Sequence, residues 1–370
     1  MSSISGSFGV PSNYPALEEL RSADLENHKN VVLLVIDGLG FRYLDSKESN
    51  SFLKRNLKTK ITSVFPSSTA SAIPTFLTGN APQKHAITGW YMHLKEIGTV
   101  STALHFAPRY GDRAFSEDGI DLQELLELDP IYEKFENSFI VTDEDIKESV
   151  LSKTTSAEAV TYGYEDMDSF TGSLERAVRA SEERKYIYAY WPGFDSLAHE
   201  HGVSSTEVER HFQELDKKLK QFVEDIKDTD TMLMITSDHG FIDTTEEKSI
   251  RLKDHPEMEE CLTLPMCGDY RSAYCYLRPS KDDRFRNYWE DELQDFCRLH
   301  EAQELIEKNY FGIHEPDPKL FDRIGDYVLI MKENYTMQHG YPNKDDPFMI
   351  GQHGGVTEKE MWTPLSVIEL

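Results

Sequence analysis

The sequence predicts an α/β fold of the doubly wound kind, a mostly parallel sheet with helices on both faces. Two observations carry this. Val31–Ile36 (VVLLVI), Tyr186–Trp191 (YIYAYW) and Met232–Ile235 (MLMI) are continuous apolar runs, the pattern of strands buried on both faces. Helical patterns lie between them, and strand–helix–strand alternation is what a parallel sheet requires.

Taken in order, Val31–Ile36 is the first buried strand and stops at Asp37-Gly38. A hydroxyl-rich stretch, FPSSTASAIPTFLTG, then opens a helix with Thr69 near its start. Leu174–Ala180 has a helical pattern, and Tyr186–Trp191 follows it as the second strand. Ser205–Asp225 is a longer helix with Val208, Phe212, Leu215, Leu219 and Phe222 on one stripe and a cap at Ser205 or Thr206. The third strand, Met232–Ile235, runs into Asp238-His239-Gly240. A chain of 370 residues suits one domain, 1–370, with insertions. The rhythm breaks over 95–180, read as a variable insertion. It breaks again over 250–320, read as a cap subdomain with a short strand (SAYCYLRP) and a helix-like segment (FRNYWEDELQDFCRLH).

Composition narrows the function. The net charge of −27 repels nucleic acid and anionic membranes, excludes a nucleic-acid-binding face, and suits a protein that holds divalent cations. No apolar run approaches the roughly 20 residues of a membrane span. The start, MSSISGSFGVPSNYP, lacks the basic and apolar segments of a signal peptide. With Cys261, Cys267, Cys275 and Cys297 as the only cysteines, a reduced, cytoplasmic protein is expected.

Five stretches carry residues with metal or nucleophile chemistry. Asp37 ends the first strand, and Thr69 sits where helix N–H groups favour an anion. In GFDSLAHEHG, Asp195 and His199 are four apart and share a helix face, a spacing that suits zinc; His201 points elsewhere. Asp238 and His239 end the third strand. His353 stands among glycines in GQHGGVTEKEMWTPL, with His339 in MQHGYPN as its rival. Each alone has an ordinary structural reading: a capping Asp, an N-cap hydroxyl, an exposed His, a polar turn. Together Asp37, Asp195, Asp238, His199, His239, His353 and Thr69 make a set that can hold two divalent metals and leave positions open for water and substrate.

The order of these residues resembles the alkaline phosphatase superfamily, and the branch it is most similar to is the type I phosphodiesterase and nucleotide pyrophosphatase group. LTGNAPQKHAITGW and HGGVTEKEMWTPL are similar to that group's patterns after the nucleophile and at the close of the domain. The resemblance covers roughly 28–95, 185–245 and 320–370. It implies an alkaline-phosphatase-like catalytic domain. It implies one metal held by Asp195, His199 and His353, and a second held by Asp37, Asp238 and His239, with Thr69 as nucleophile bridging to substrate. Zinc is the first expectation for both ions, with manganese or iron next. Ala72 stands where the group's usual phosphate-binding asparagine is expected, and Ala86 replaces a glycine after His85.

The expected function is hydrolysis of a phosphodiester or pyrophosphate through a phospho-threonine intermediate, with a small-molecule phosphoester as partner. Phosphomonoester or phosphonate hydrolysis on the same metals is the alternative, as is a non-catalytic member that binds metal or nucleotide. A monoester enzyme would add an arginine clamp. Arg42, Arg109, Arg113 and Arg271 are the candidates for it, and the sequence leaves the substrate-binding residues and the oligomeric state open. A CxPxR-like sulfatase motif is absent.

Overall fold

The structure is a computed structural model that describes residues 1–111, 113–340 and 347–370. Its centre is a seven-stranded sheet. The spatial order is β2 (Leu57–Thr62), β14 (Trp362–Glu369), β9 (Thr231–Thr236), β1 (Asn30–Ile36), β8 (Lys185–Trp191), β6 (Ser138–Asp143) and β7 (Val160–Tyr164). From β9 to β7 every pairing is parallel, while β14 runs antiparallel to both β9 and β2. The three strands expected from the sequence are its centre, and every residue of β1, β8 and β9 is buried.

Helices cover both faces, which is why those strands read as unbroken apolar runs. On one face, α2 (Met167–Arg179), α3 (Gly193–His201) and α4 (Thr206–Asp225) pack Phe170, Leu174, Val208, Phe212, Leu215 and Leu219 onto Val32, Leu34 and Ile36 of β1. On the other, α1 (Thr69–Thr78) sets Ile73 and Leu77 against Val31, Leu33 and Val35. Alternate residues of β1 thus face opposite layers, as the pleat requires. The N-cap of α4 is Ser205, whose hydroxyl accepts from the Val208 N–H at 3.3 Å.

A second sheet of seven strands is antiparallel throughout. Its order is β12 (Cys297–Glu301), β13 (Tyr327–Met331), β11 (Ser272–Cys275), β10 (Cys267–Asp269), β3 (Tyr91–Leu94), β4 (Thr99–Thr102) and β5 (Ala107–Pro108). The boundaries read from the sequence cut across both sheets. The stretch 95–180 supplies β4 and β5 to the second sheet, and β6, β7 and α2 to the first. Within 250–320, β10, β11 and β12 pair with β3 and β13, which lie outside it. Part of the helix-like segment is strand: a helix over Asp282–Tyr288 gives way to β12 at Cys297. The reason is pairing at long range. β7 is a half-exposed edge strand containing Gly163, and β12 has only Cys297 buried, so neither shows a local strand period. All four cysteines are buried thiols, and among the described residues no helix is long and apolar enough to cross a membrane.

Leu215 is fully buried where α4 meets the sheet. Leu215→Ala should lower unfolding stability by about 2–5 kcal/mol in urea titrations, against less than about 0.5 kcal/mol for exposed Lys217→Ala on the same helix.

Candidate active site

The site lies at the carboxyl ends of β1, β8 and β9, where doubly wound sheets place their ligands. Asp37 follows β1, and Gly38 behind it adopts φ +73°; a Cβ there would stand 2.3 Å from the Phe241 ring. Asp238 and His239 follow β9. Gly240 lets that loop leave at once, since a Cβ at 240 would meet the Lys359 carbonyl at 2.1 Å. Asp195 and His199 share one face of α3, with Asp195 in its first turn. Thr69 is the first residue of α1, and no side chain caps that helix end. His353 sits in the loop before β14.

The structure brings all seven together. Asp195 Oδ1 lies 3.5 Å from His199 Nε2 and 4.0 Å from His353 Nε2, and these two nitrogens are 3.2 Å apart. His239 Nε2 lies 3.3 Å from Asp37 Oδ1 and 3.5 Å from Asp238 Oδ2. It is also 3.9 Å from Asp195 Oδ1, so the two groups adjoin. Thr69 Oγ1 is 3.0 Å from His239 Nε2 and 3.5 Å from Asp37 Oδ1. Asp37/Asp238/His239 and Asp195/His239/His353 each gather ligand atoms within 4.8 Å of one another.

The hydrogen bonds behind the ligand atoms fix their chemistry. Nδ1 of His199 faces the Gly351 carbonyl at 2.9 Å, that of His239 the Gly240 carbonyl at 3.2 Å, and that of His353 the Ser67 carbonyl at 3.2 Å. A carbonyl only accepts, so each Nδ1 carries the proton and each Nε2 presents a lone pair to the centre. His199 and His353 then face each other with two lone pairs and no proton between them. Asp195 Oδ1 and Asp238 Oδ2 are buried with no hydrogen-bond partner. Buried acceptors that converge without a donor fit a cation, and imidazole with carboxylate fits zinc, manganese or iron.

Burial drives the acidities the same way. It raises Asp37 well above the ordinary carboxylate range, and the nearby Asp195 charge adds to this. Burial pushes Asp195 up to about 7 and Asp238 up to about 7, the latter with the Asp37 charge adding to the shift. It lowers His199, and lowers His353 well below the usual imidazole value with the charges of His239 and His199 adding to the effect. Without cations both residue types are driven toward their neutral forms, so metal binding must release protons.

Sequence reasoning missed Tyr190, whose hydroxyl donates to Asp37 Oδ2. The alternation of YIYAYW held the signal, since Tyr186, Tyr188 and Tyr190 face one layer. It also missed Glu360. That buried carboxylate accepts from the Gly355 N–H at 2.9 Å, while its backbone carbonyl accepts from the Gly240 N–H at 2.8 Å. One residue thereby ties the His353 and His239 loops together. The rivals fall away. His339 Nδ1 accepts from the Met266 N–H at 2.8 Å, and the Pro342 and Asn343 that follow it lie outside the described residues. His201 lies by exposed Glu200.

None of the candidate arginines serves the site. Arg109 stacks on Tyr91 and donates to the Met266 and His339 carbonyls. Arg271 is fully buried on Glu360. Arg42 pairs with Glu358 over Trp362, and Arg113 pairs with Asp118 on the surface. Ala72 lines a rear cavity with Met1 and Phe76, so an asparagine there would not face the cavity in front of Thr69. That front cavity, about 380 Å³, is mostly apolar and runs from Asp37, Thr69 and Asp195 past Trp90 and His105 to Ile140 and Leu151. The cation on its wall, Lys147, is paired with Glu144.

Comparison with known proteins agrees with this architecture. The family model for type I phosphodiesterase/nucleotide pyrophosphatase matches residues 31–356. Human ectonucleotide pyrophosphatase/phosphodiesterase family member 5 is 24% identical over 171 residues, which are 45% of this chain and 32% of that protein. The chain thus matches about a third of the length of that curated relative. Murine ectonucleotide pyrophosphatase/phosphodiesterase 5 superposes with a TM-score of 0.69 at 16% identity over 91% of this chain and 87% of that one. An inactive variant of it has been solved in complex with AMP. Phosphonoacetate hydrolase from Sinorhizobium meliloti 1021, in complex with phosphonoformate, superposes with a TM-score of 0.63 at 18% identity over 92% and 90% of the two chains. These structures share the fold.

The raised carboxyl groups make a signed prediction. A carboxyl raised from 3.8 to about 7 in the folded chain contributes stability that is full below its unfolded value and is lost as pH rises through 7. Metal-free protein should therefore melt at lower temperature at pH 8 than at pH 5.5, the three raised carboxyls outweighing the opposite contribution of the two lowered imidazoles, His199 and His353. Added Zn²⁺ should reverse that loss at pH 8 and do little at pH 5.5. Calorimetry at the two pH values, with and without metal, checks both statements.

Proposed function

Because this chain belongs to the type I phosphodiesterase/nucleotide pyrophosphatase family, we propose that it is a metal-dependent phosphoric ester hydrolase that cleaves phosphodiester or pyrophosphate bonds through a phospho-Thr69 intermediate. The observation that carries this reading is the place of Thr69. Its hydroxyl opens a helix whose end no side chain caps, within 3.5 Å of both Asp37 and His239.

Asp195, His199 and His353 would hold one divalent ion, and Asp37, Asp238 and His239 the other. Bound there, the pair supplies a lowered hydroxyl pKa at Thr69 and positive charge for the phosphoryl group. Thr69 Oγ1 attacks phosphorus, and the bond from phosphorus to the leaving oxygen breaks. Asp37 Oδ1 and His239 Nε2 lie within 3.5 Å of the Thr69 hydroxyl; because both would hold the ion, the proton passes to water. The first-turn N–H groups of α1 point toward the anion held at Thr69. Water then cleaves the Thr69–phosphorus bond. Two inversions leave the configuration at phosphorus retained.

The walls favour a diester or a pyrophosphate. A phosphomonoester brings about two negative charges and calls for a guanidinium fork. Every arginine considered for that role is engaged elsewhere. A small phosphonate with a carboxylate is anionic at both ends and would find, among the described residues, Lys147 as the one cationic side chain on the wall of the front cavity. An uncharged organic arm on the phosphate suits the apolar lining. The AMP complex of the murine relative supports a nucleotide arm as one such group.

Protein stripped with EDTA and reloaded with Zn²⁺ or Mn²⁺ should turn over bis-p-nitrophenyl phosphate much faster than p-nitrophenyl phosphate. The reverse preference would overturn the diester assignment. Thr69→Ala should lose at least about a thousandfold in turnover while metal content by plasma mass spectrometry stays at the wild-type value. An active Thr69→Ala variant would remove Thr69 as nucleophile.

A further inference from the structure

The turn joining β10 to β11, Asp269 to Ser272, belongs to the second sheet. Yet three of its residues meet the loops that carry Thr69 and His353. Asp269 Oδ1 accepts a hydrogen bond from Ser68 Oγ at 2.8 Å. Arg271 donates to both oxygens of Glu360, at 2.9 and 2.8 Å. Ser272 Oγ donates to the Gly354 carbonyl at 2.6 Å.

The first contact is the unusual one. Ser68 is the N-cap residue of α1, and a serine there ordinarily turns its hydroxyl inward to accept a first-turn N–H. Here it makes no such bond. Its hydroxyl is fully buried and turns outward to Asp269 instead. The turn is itself a fixed point, because Arg271 is fully buried and its second nitrogen donates to the Glu333 carbonyl at 2.7 Å besides Glu360. The Ser68 hydroxyl, one residue before Thr69, is thus fastened to the opposite sheet.

We propose that Asp269 is a positioning residue for the nucleophile: through the Ser68 hydroxyl it sets the orientation of the first turn of α1, and with it the place of Thr69 Oγ1. The inference rests on the reading of Thr69 as nucleophile. It also explains why the helix end is left open: a Ser68 hydroxyl turned inward would occupy N–H groups that the anion needs. Asp269 borders the cavity that Thr69, His199 and His353 line, but its Oδ1 is committed to Ser68, and through that bond its effect is on geometry. A displacement of about 1 Å at the attacking atom costs on the order of a hundredfold in rate.

The test compares Ser68→Ala, Asp269→Ala, their double variant, Asp269→Asn and Thr69→Ala, all in metal-loaded protein with the diester substrate. Ser68→Ala and Asp269→Ala should each lower kcat by about 10- to 100-fold with KM within about threefold of wild type. The double variant should be no worse than the weaker single one, because both remove one contact. Asp269→Asn keeps an acceptor oxygen and should recover most of the loss. In metal-free protein, amide exchange over 66–72 should quicken in Ser68→Ala, a readout independent of turnover. Wild-type kcat in Ser68→Ala, or losses that multiply in the double variant, overturns the inference. Should Asp269→Ala fail to fold, Ser68→Ala decides alone. An active Thr69→Ala variant sinks the nucleophile reading instead, whereas an inactive one beside a fully active Ser68→Ala sinks only the positioning role.

Discussion

Three buried carboxylates and three imidazole lone pairs converge on one small volume that, among the described residues, no free side-chain cation enters. This is the constraint on which the rest of the structure depends. Burying one unpaired carboxylate costs several kcal/mol, and clustering them adds repulsion. A fold tolerates this only if the groups are protonated or if something positive sits among them. The carbonyls behind the histidines settle how the rings answer, since each Nδ1 proton is turned outward and each Nε2 lone pair inward. Divalent cations would resolve the conflict for both residue types at once.

Holding six acceptors in place against their mutual repulsion requires rigid supports, and the two sheets share that work. The central sheet delivers Asp37, Asp238 and His239 from strand ends, and α3 delivers Asp195 and His199. The loops are then fastened to one another. Glu360 bridges the His353 and His239 loops, the Ser67 hydroxyl donates to the Gly355 carbonyl at 2.8 Å, and Tyr190 holds the far oxygen of Asp37. The buried Arg271–Glu360 pair links this cluster to the second sheet. Removing one member of such a pair would leave the other charge buried and alone, so both are fixed by the same electrostatic logic as the site itself.

Much of this was legible in the chain. The central strands announced themselves because burial on both faces leaves no polar alternation, and α4 because its stripe keeps the helical period. The seven candidate residues were legible because each follows a strand, opens a helix, stands among glycines or, like His199, lies one helical turn from such a residue. What the sequence hid depends on long-range pairing. Edge strand β7 is half-exposed and contains Gly163, and β12 buries only Cys297. The second sheet joins β3, before residue 95, to strands beyond residue 266. The roles of Arg109 and Arg271 were hidden for the same reason, since a guanidinium bound to carbonyls more than a hundred or some sixty residues away in sequence looks free in the chain. Ser68 and Asp269 could not be paired at all without the fold.

The central claim is that two divalent cations complete this cluster. Counting the ions is its most direct test. Native mass spectrometry of EDTA-stripped protein, reloaded with excess Zn²⁺ and desalted at pH 8, should show two ions per chain. Asp195→Asn and Asp238→Asn should each lose one ion while retaining the fold. A folded wild-type protein that retains no metal would contradict the account, because three buried carboxylates would then have to be held by protons alone.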